Sequence, residues 1–222
     1  MTHTPLAPIR PPTAERPLLG RCVLLVEDSR YASDAIRLLC LASGARIRRA
    51  DSLGASERHL AAYRPDVAIV DMGLPDGSGG ALIARLHAAR PRVPAILGMS
   101  GAEAAAEALD AGADAFIEKP ITSLASFQEA ILPHLPDEHQ PPAPRALPSG
   151  HVRPDALAYR DDLAHAASLL DGAGEEELDY LRAFLGGLAR SAGDDELRTV
   201  AEGPPAALAA VLATRLEQRM AV

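Results

Sequence analysis

Three carboxylates, a hydroxyl and an ammonium stand directly after short apolar runs in this sequence. CVLLV leads into Glu27-Asp28, VAIV into Asp71, AILGM into Ser100 and AFIE into Lys119. Carboxylates brought together repel and are costly to bury unpaired, a conflict that a hard divalent cation resolves. Magnesium suits such a set, because it takes a few carboxylate oxygens, keeps several waters and leaves room for a phosphoryl oxygen. A carboxylate can also attack phosphorus and become an acyl phosphate. Asp71 is the candidate, since the Met72-Gly73-Leu74-Pro75-Asp76-Gly77-Ser78-Gly79 loop can turn sharply beside it. Ser100 and Lys119 would then serve the phosphoryl oxygens by hydrogen bonding and charge.

Lys119 is the only lysine among 22 basic residues; the rest are arginine. An ammonium is a compact point charge on a flexible stem, whereas a guanidinium is a broad planar fork. A tight site beside Asp71 would require the former. Taken singly, each of these residues also reads as a helix cap or a solvated strand-end carboxylate. The set taken together argues for a site.

The elements that must position them follow from the periodicity. Short segments, three of them near-continuous apolar runs, predict strands at 22–27, 45–49, 66–71, 94–99 and 114–118, and amphipathic spacing predicts helices at 30–42, 53–62, 79–89, 102–111 and 121–132. Five βα units in succession predict a flavodoxin-like, doubly wound five-stranded parallel sheet, an α/β fold that binds ligands beyond the carboxyl ends of its strands. All five candidate residues fall at that edge.

In that order and spacing, Leu24-Leu25-Val26-Glu27-Asp28-Ser29, Asp71-Met72-Gly73-Leu74-Pro75 with Gly79, Met99-Ser100-Gly101 and Glu118-Lys119-Pro120 resemble the motifs of the response-regulator receiver family, the CheY-like phospho-acceptor domains of two-component signalling. The resemblance spans residues 21–134. It implies that Asp71 accepts a phosphoryl group from a sensor histidine kinase or phosphotransfer protein. It further implies that Asp28, Asp71 and the Gly73 carbonyl hold Mg2+ with Glu27 acting mainly through water, and that Lys119 and Ser100 contact the phosphoryl group. Ser100 and Phe116 would be the switch residues, and the Lys119–Pro120 peptide would be cis. Gly101 stands where alanine is commoner. The family is one of signalling proteins rather than enzymes in the usual sense, although a receiver catalyses its own phosphorylation and dephosphorylation.

The rest of the chain differs in composition. Residues 1–20 hold five prolines and predict a disordered leader, and residues 135–154 hold six and predict a semi-extended linker. Residues 155–222 show helical spacing at Tyr159, Leu163, Ala166 and Leu170, at Leu178, Leu181, Leu185 and Leu188, and at Leu208, Val211, Leu212 and Leu216. Asp194 or Asp195 is expected to cap a short helix ended by Gly203-Pro204-Pro205. A small all-α bundle for output or dimerisation is therefore expected, working through a downstream protein partner or a homodimer.

Acidic residues outnumber basic ones about two to one in this bundle, and the net charge of the chain is -8, so DNA and anionic membrane are disfavoured as partners. A phosphorelay role is the alternative: Leu188-Ala189-Arg190-Ser191-Ala192-Gly193 faintly resembles half of a histidine-phosphotransfer motif, but no histidine precedes it, and His165 should merely be exposed. A DNA-binding transcriptional regulator and a non-phosphorylated pseudo-receiver scaffold are the remaining readings. Cys22 and Cys40 lack metal-ligand spacing and read as free thiols. No secretory signal or membrane span is evident, and the chain is expected to be cytoplasmic.

Overall fold

The structure is a computed structural model that describes residues 11–142 and 146–217. Its first part runs β1 (Cys22–Val26), α1 (Arg30–Ser43), β2 (Arg46–Ala50), α2 (Leu53–Ala62), β3 (Val67–Asp71), β4 (Gly73–Leu74), β5 (Gly77–Ser78), α3 (Gly79–Ala88), β6 (Ala95–Ser100), α4 (Ala105–Asp110), β7 (Ala115–Glu118) and α5 (Leu124–Ile131). Five strands pair in parallel in the order β2-β1-β3-β6-β7. This is the doubly wound, flavodoxin-like sheet that the sequence predicts.

Strand alternation explains the layers. Val23 and Leu25 point to one face of the sheet, with Val67, Ile69, Leu97 and Ile117, and meet Ile36, Leu39, Phe127 and Ile131 of α1 and α5. Leu24 and Val26 point to the other, with Ala68, Val70 and Ile96, and meet Leu82, Ile83, Leu86 and Ala108 of α3 and α4. Burial on both faces is why these strands read as continuous apolar runs. Ser29 caps α1 by accepting from Ala32 N–H, and Gly44 ends it in the left-handed conformation.

The predicted leader requires correction. Leu18 is fully buried in the sheet's core, and its N–H donates to Ser43 O at 2.9 Å. Prolines stiffen a backbone without preventing one apolar side chain between them from packing, so residues 11–20 are part of the α/β fold; the predicted leader's residues 1–10 lie outside the described residues. The predicted linker is likewise packed at both ends. Leu135 is buried, Leu124 N–H donates to Gly150 O and Val152 N–H donates to Thr122 O, both at 2.9 Å. Extended backbone offers unpaired N–H and C=O groups, and the loop before α5 accepts them. Residues 143–145 of that segment lie outside the described residues.

The second part is helical: α6 (Ala156–Leu170), α7 (Glu175–Ala192), α8 (Asp195–Ala201) and α9 (Pro205–Glu217). The predicted stripes form its core, with Leu163, Ala166, Leu181, Leu185, Leu188, Leu208 and Leu212 all buried. Asp194 caps α8 by accepting from Leu197 N–H at 3.0 Å, and also takes Tyr159 O–H at 2.6 Å and Arg215 Nη2 at 2.7 Å. The expected module extends to residue 222, of which 218–222 lie outside the described residues. Tyr31 of α1 packs against the helical core, edge-on to Tyr159 at 5.6 Å.

Candidate functional site

The carboxyl edges of β1, β3, β6 and β7 bring Glu27, Asp28, Asp71, Ser100 and Lys119 to the walls of one cavity of about 130 Å³. Asp71 ends β3, at the middle of the sheet. Its position depends on the turn that follows: Gly79 N–H donates to Met72 O, and a Cβ at residue 79 would overlap the Asp71 carbonyl oxygen. Glu27 and Asp28 leave β1 just before α1, and Ser29 N–H donates to both, at 3.0 Å to Glu27 Oε1 and 2.9 Å to Asp28 Oδ1.

Lys119 reaches the acids from β7. Its Nζ lies 2.9 Å from Asp71 Oδ1 and 2.6 Å from Glu27 Oε2. The Lys119–Pro120 peptide is cis. Burial and the neighbouring Asp28 charge push the Glu27 carboxyl up to about 7, against the pull of Lys119. Burial and Glu27 push Asp71 up to about 6. Burial pulls the Lys119 ammonium down, but the Glu27 and Asp71 carboxylates overcome it and hold its pKa above the ordinary lysine range. One ammonium thus faces an excess of negative charge.

One oxygen from each of Glu27, Asp28 and Asp71 falls within 4.8 Å of the others. These are hard oxygen donors, held close and short of positive charge, which fits a magnesium ion. Gly73, the fourth predicted ligand, lines the same cavity, and its backbone hydrogen-bonds the Asp71 carboxylate. Ser100 is half-buried at the cavity wall, and its carbonyl accepts Lys119 N–H at 2.8 Å. Phe116 is half-buried on β7, against Gly98 of β6.

Residues 23–131 match the profile of the response regulator receiver domain. They are a receiver domain. Relatives in the curated proteins include the virulence transcriptional regulatory protein PhoP of Salmonella typhimurium, 32% identical over 100 residues, which are 44% of this chain and 45% of that protein. The transcriptional regulatory protein PhoP of Escherichia coli O157:H7 is 34% identical over 101 residues, with the same shares of the two chains. The chain therefore spans less than half the length of these relatives. Among solved structures, a CheY-like receiver domain protein from Methanospirillum hungatei JF-1 aligns with 26% identity and a TM-score of 0.44, over 49% of this chain and 88% of that one. A response regulator from Chloroflexus aurantiacus J-10-fl aligns with 25% identity and a TM-score of 0.44, over 46% of this chain and 86% of that one.

The receiver supplies only part of the cavity wall. Ala183, Phe184, Gly187, Leu188, Arg190 and Ser191 of α7 supply the rest. Tyr180, one helical turn earlier, donates its O–H to Asp28 Oδ2 at 2.5 Å. Asp162 of α6 accepts from Ser29 Oγ–H at 2.8 Å, Arg30 N–H at 2.9 Å and Tyr31 N–H at 3.0 Å. Sequence reasoning missed these residues. Tyr180 lies off the leucine stripe of its helix and Asp162 precedes the buried Leu163, so each reads as a solvated position. Gly101, the residue after Ser100, lies beside the Arg190 guanidinium of α7, where a Cβ would be 3.1 Å from Nη2.

His165 is exposed, as expected, and does not line the Asp71 cavity. Cys40 is a buried free thiol pushed up to about 12 by burial, and Cys22 is a half-buried free thiol. Among the described residues, no helix is long and apolar enough to cross a membrane.

Proposed function

We propose that the chain is a two-component response regulator that accepts a phosphoryl group on Asp71 from a histidine kinase or phosphotransfer protein and signals through protein contacts. The observation that carries this reading is the bridge of Lys119 Nζ between Asp71 Oδ1 and Glu27 Oε2 inside the acid cluster. An Asp71 oxygen would attack phosphorus, forming the O–P bond. The P–N bond to a donor imidazole would break, its electron pair returning to the ring nitrogen. Lys119 would turn from the Asp71 carboxylate to a phosphoryl oxygen on it, and Ser100, on the neighbouring strand at the same cavity, would donate to another. Glu27, Asp28, Asp71 and Gly73 would hold Mg2+, which neutralises charge on the transferring group.

Phosphorylation adds about -1.5 to -2 charge at Asp71. The shift of Ser100 and Phe116 toward that charge would alter the surface beside β7 and α4. The transcriptional role in the relatives' names belongs to proteins this chain matches only in the receiver region. The acidic helical part supports a protein rather than a DNA partner. Incubation with acetyl phosphate and Mg2+ should give a mass gain that is labile in alkali. Absence of the gain in wild type, or an undiminished gain in Asp71→Asn, refutes the proposal.

A further inference from the structure

The acid cluster and the helical bundle are in direct contact, and the contact falls on one of the carboxylates that a cation needs. Asp28 accepts Ser29 N–H on one oxygen and the Tyr180 phenol on the other. At 2.5 Å this is a short hydrogen bond from a neutral donor to a carboxylate, the charge-assisted kind that is about twice as strong as a neutral pair. The phenol feels all three acids. After burial, the Asp28, Glu27 and Asp71 charges are what push its pKa up.

The seat of the bundle is built on both sides. Asp162 satisfies the Arg30 and Tyr31 amides and the Ser29 hydroxyl, Asp34 Oδ2 accepts Asp155 N–H at 2.9 Å, and Arg30 pairs with Asp161 at 2.7 Å. Tyr31 fills a place in the bundle's own core. Gly101 lies beside Arg190. On α7, Gly186 and Gly187 lie in the helix interior, where glycine costs about 1 kcal/mol relative to alanine, and a Cβ at either would meet nothing within 4 Å. Packing therefore does not demand these glycines. Gly187 faces the cavity, and its lack of a side chain keeps that space open over Asp71.

We propose that the helical bundle is a cap docked in cis on the phosphoacceptor edge, with the Tyr180 hydroxyl holding Asp28, so that cation binding at Glu27, Asp28 and Asp71 and docking of α6 and α7 oppose one another. Magnesium demands near-octahedral room for its waters, and the phenol already occupies Oδ2 of one of the three clustered carboxylates. Linkage makes the effect reciprocal: whatever Mg2+ does to the cap, loss of the cap does to Mg2+ affinity by the same factor. Release would expose the α1 face and the cavity to a protein phosphodonor and free the α7 face for a partner.

The inference rests on the magnesium part of the function proposed above, and its test uses no phosphoryl donor, so the two can fail separately. The full chain is titrated with MgCl2 by calorimetry, as wild type and as Tyr180→Phe, which keeps the ring and removes the hydroxyl. Loss of a charge-assisted hydrogen bond predicts a Kd about tenfold or more lower in Tyr180→Phe. Hydrogen exchange of wild type, which needs no variant, should show the Arg30 and Tyr31 amides protected without Mg2+ and exchanging at least tenfold faster at saturation. An equal or weaker Mg2+ affinity in Tyr180→Phe, no Mg2+ binding by either protein, or protection indifferent to Mg2+ overturns the proposal. Protection that falls on dilution of the protein places the contact between two copies and overturns the cis assignment.

Discussion

Asp162 of α6 accepts the Ser29 hydroxyl at 2.8 Å, although 133 residues separate them in sequence. Ser29 already caps α1 through Ala32 N–H, so Asp162 acts as a second cap, borrowed from the helical bundle. Replacing it by alanine leaves three donors at a helix N-terminus without their buried acceptor. Asp162→Ala should lower stability by about 1–3 kcal/mol, read from urea melts. Asp162→Asn, which keeps acceptor capacity without charge, should lose less.

The pH dependence of the acid cluster follows from its raised carboxyls. Glu27 is held at about 7 and Asp71 at about 6 in the folded chain, each above its ordinary carboxylate value. A folded state that binds protons more tightly than the unfolded one loses stability as pH rises through that window. In EDTA, these two groups should therefore make the protein melt higher at pH 5.5 than at pH 7.5, and Glu27→Gln should flatten the difference. Lys119 stays charged throughout and adds no slope. Because Mg2+ must displace the proton, its affinity should climb between pH 6 and 8, by about tenfold in all for one displaced proton with a pKa of about 7, and level off above that.

Lys119 supplies the positive charge for two nearly buried carboxylates, whose side chains are 0% and 8% exposed. Removing one member of a buried ion pair typically costs about 3–5 kcal/mol. Lys119→Ala should show that loss at pH 8 without metal, less of it at pH 5.5 where protonation neutralises the acids, and partial recovery in Mg2+. Thermal melts under the three conditions check this. Equal losses in all three would show that Lys119 acts through packing alone.

Gly79 abuts the Asp71 carbonyl, with no space for a Cβ. Gly79→Ala must displace the turn after β3. A loss of about 1–3 kcal/mol is expected from overpacking, together with slower phosphorylation of Asp71 by acetyl phosphate. Gly187→Ala is the contrast, since that Cβ meets nothing, and it should leave stability unchanged or raised by up to about 1 kcal/mol.

In the bundle, Asp194 joins the N-terminus of α8 to Tyr159 and Arg215. Asp194→Ala should cost about 0.5–2 kcal/mol through the lost cap, more with the tyrosine and arginine left unpaired. Hydrogen exchange should locate the loss in α6, α8 and α9 rather than in the sheet.

What the sequence alone determined is local in origin. Alternating burial on both sheet faces forces runs such as CVLLV and VAIV, so strand positions, order of elements and the doubly wound fold were legible within a residue or two at most ends. The exceptions have local causes: Ser123 caps α5 by accepting from Ser126 N–H and delays its start to Leu124, Ala102–Ala104 form a 3-10 turn ahead of α4, and the Gly77 turn creates the short β4–β5 hairpin. Glu27, Asp28, Asp71, Ser100 and Lys119 were legible because a parallel sheet must bring strand ends to one edge. The helices of the bundle followed from leucine spacing and from Asp194 and the Gly203-Pro204-Pro205 stop.

What only the tertiary structure decided is how those parts face each other. No periodicity marks Leu18 as core, because a single buried residue has no period. Nothing in the order of residues says that Tyr180 meets Asp28 or that Asp162 caps α1, since each is one polar group whose partner lies on the other part of the chain. Contacts of that kind are chosen by the docking of two finished surfaces, where geometry across more than a hundred residues of chain selects the partner.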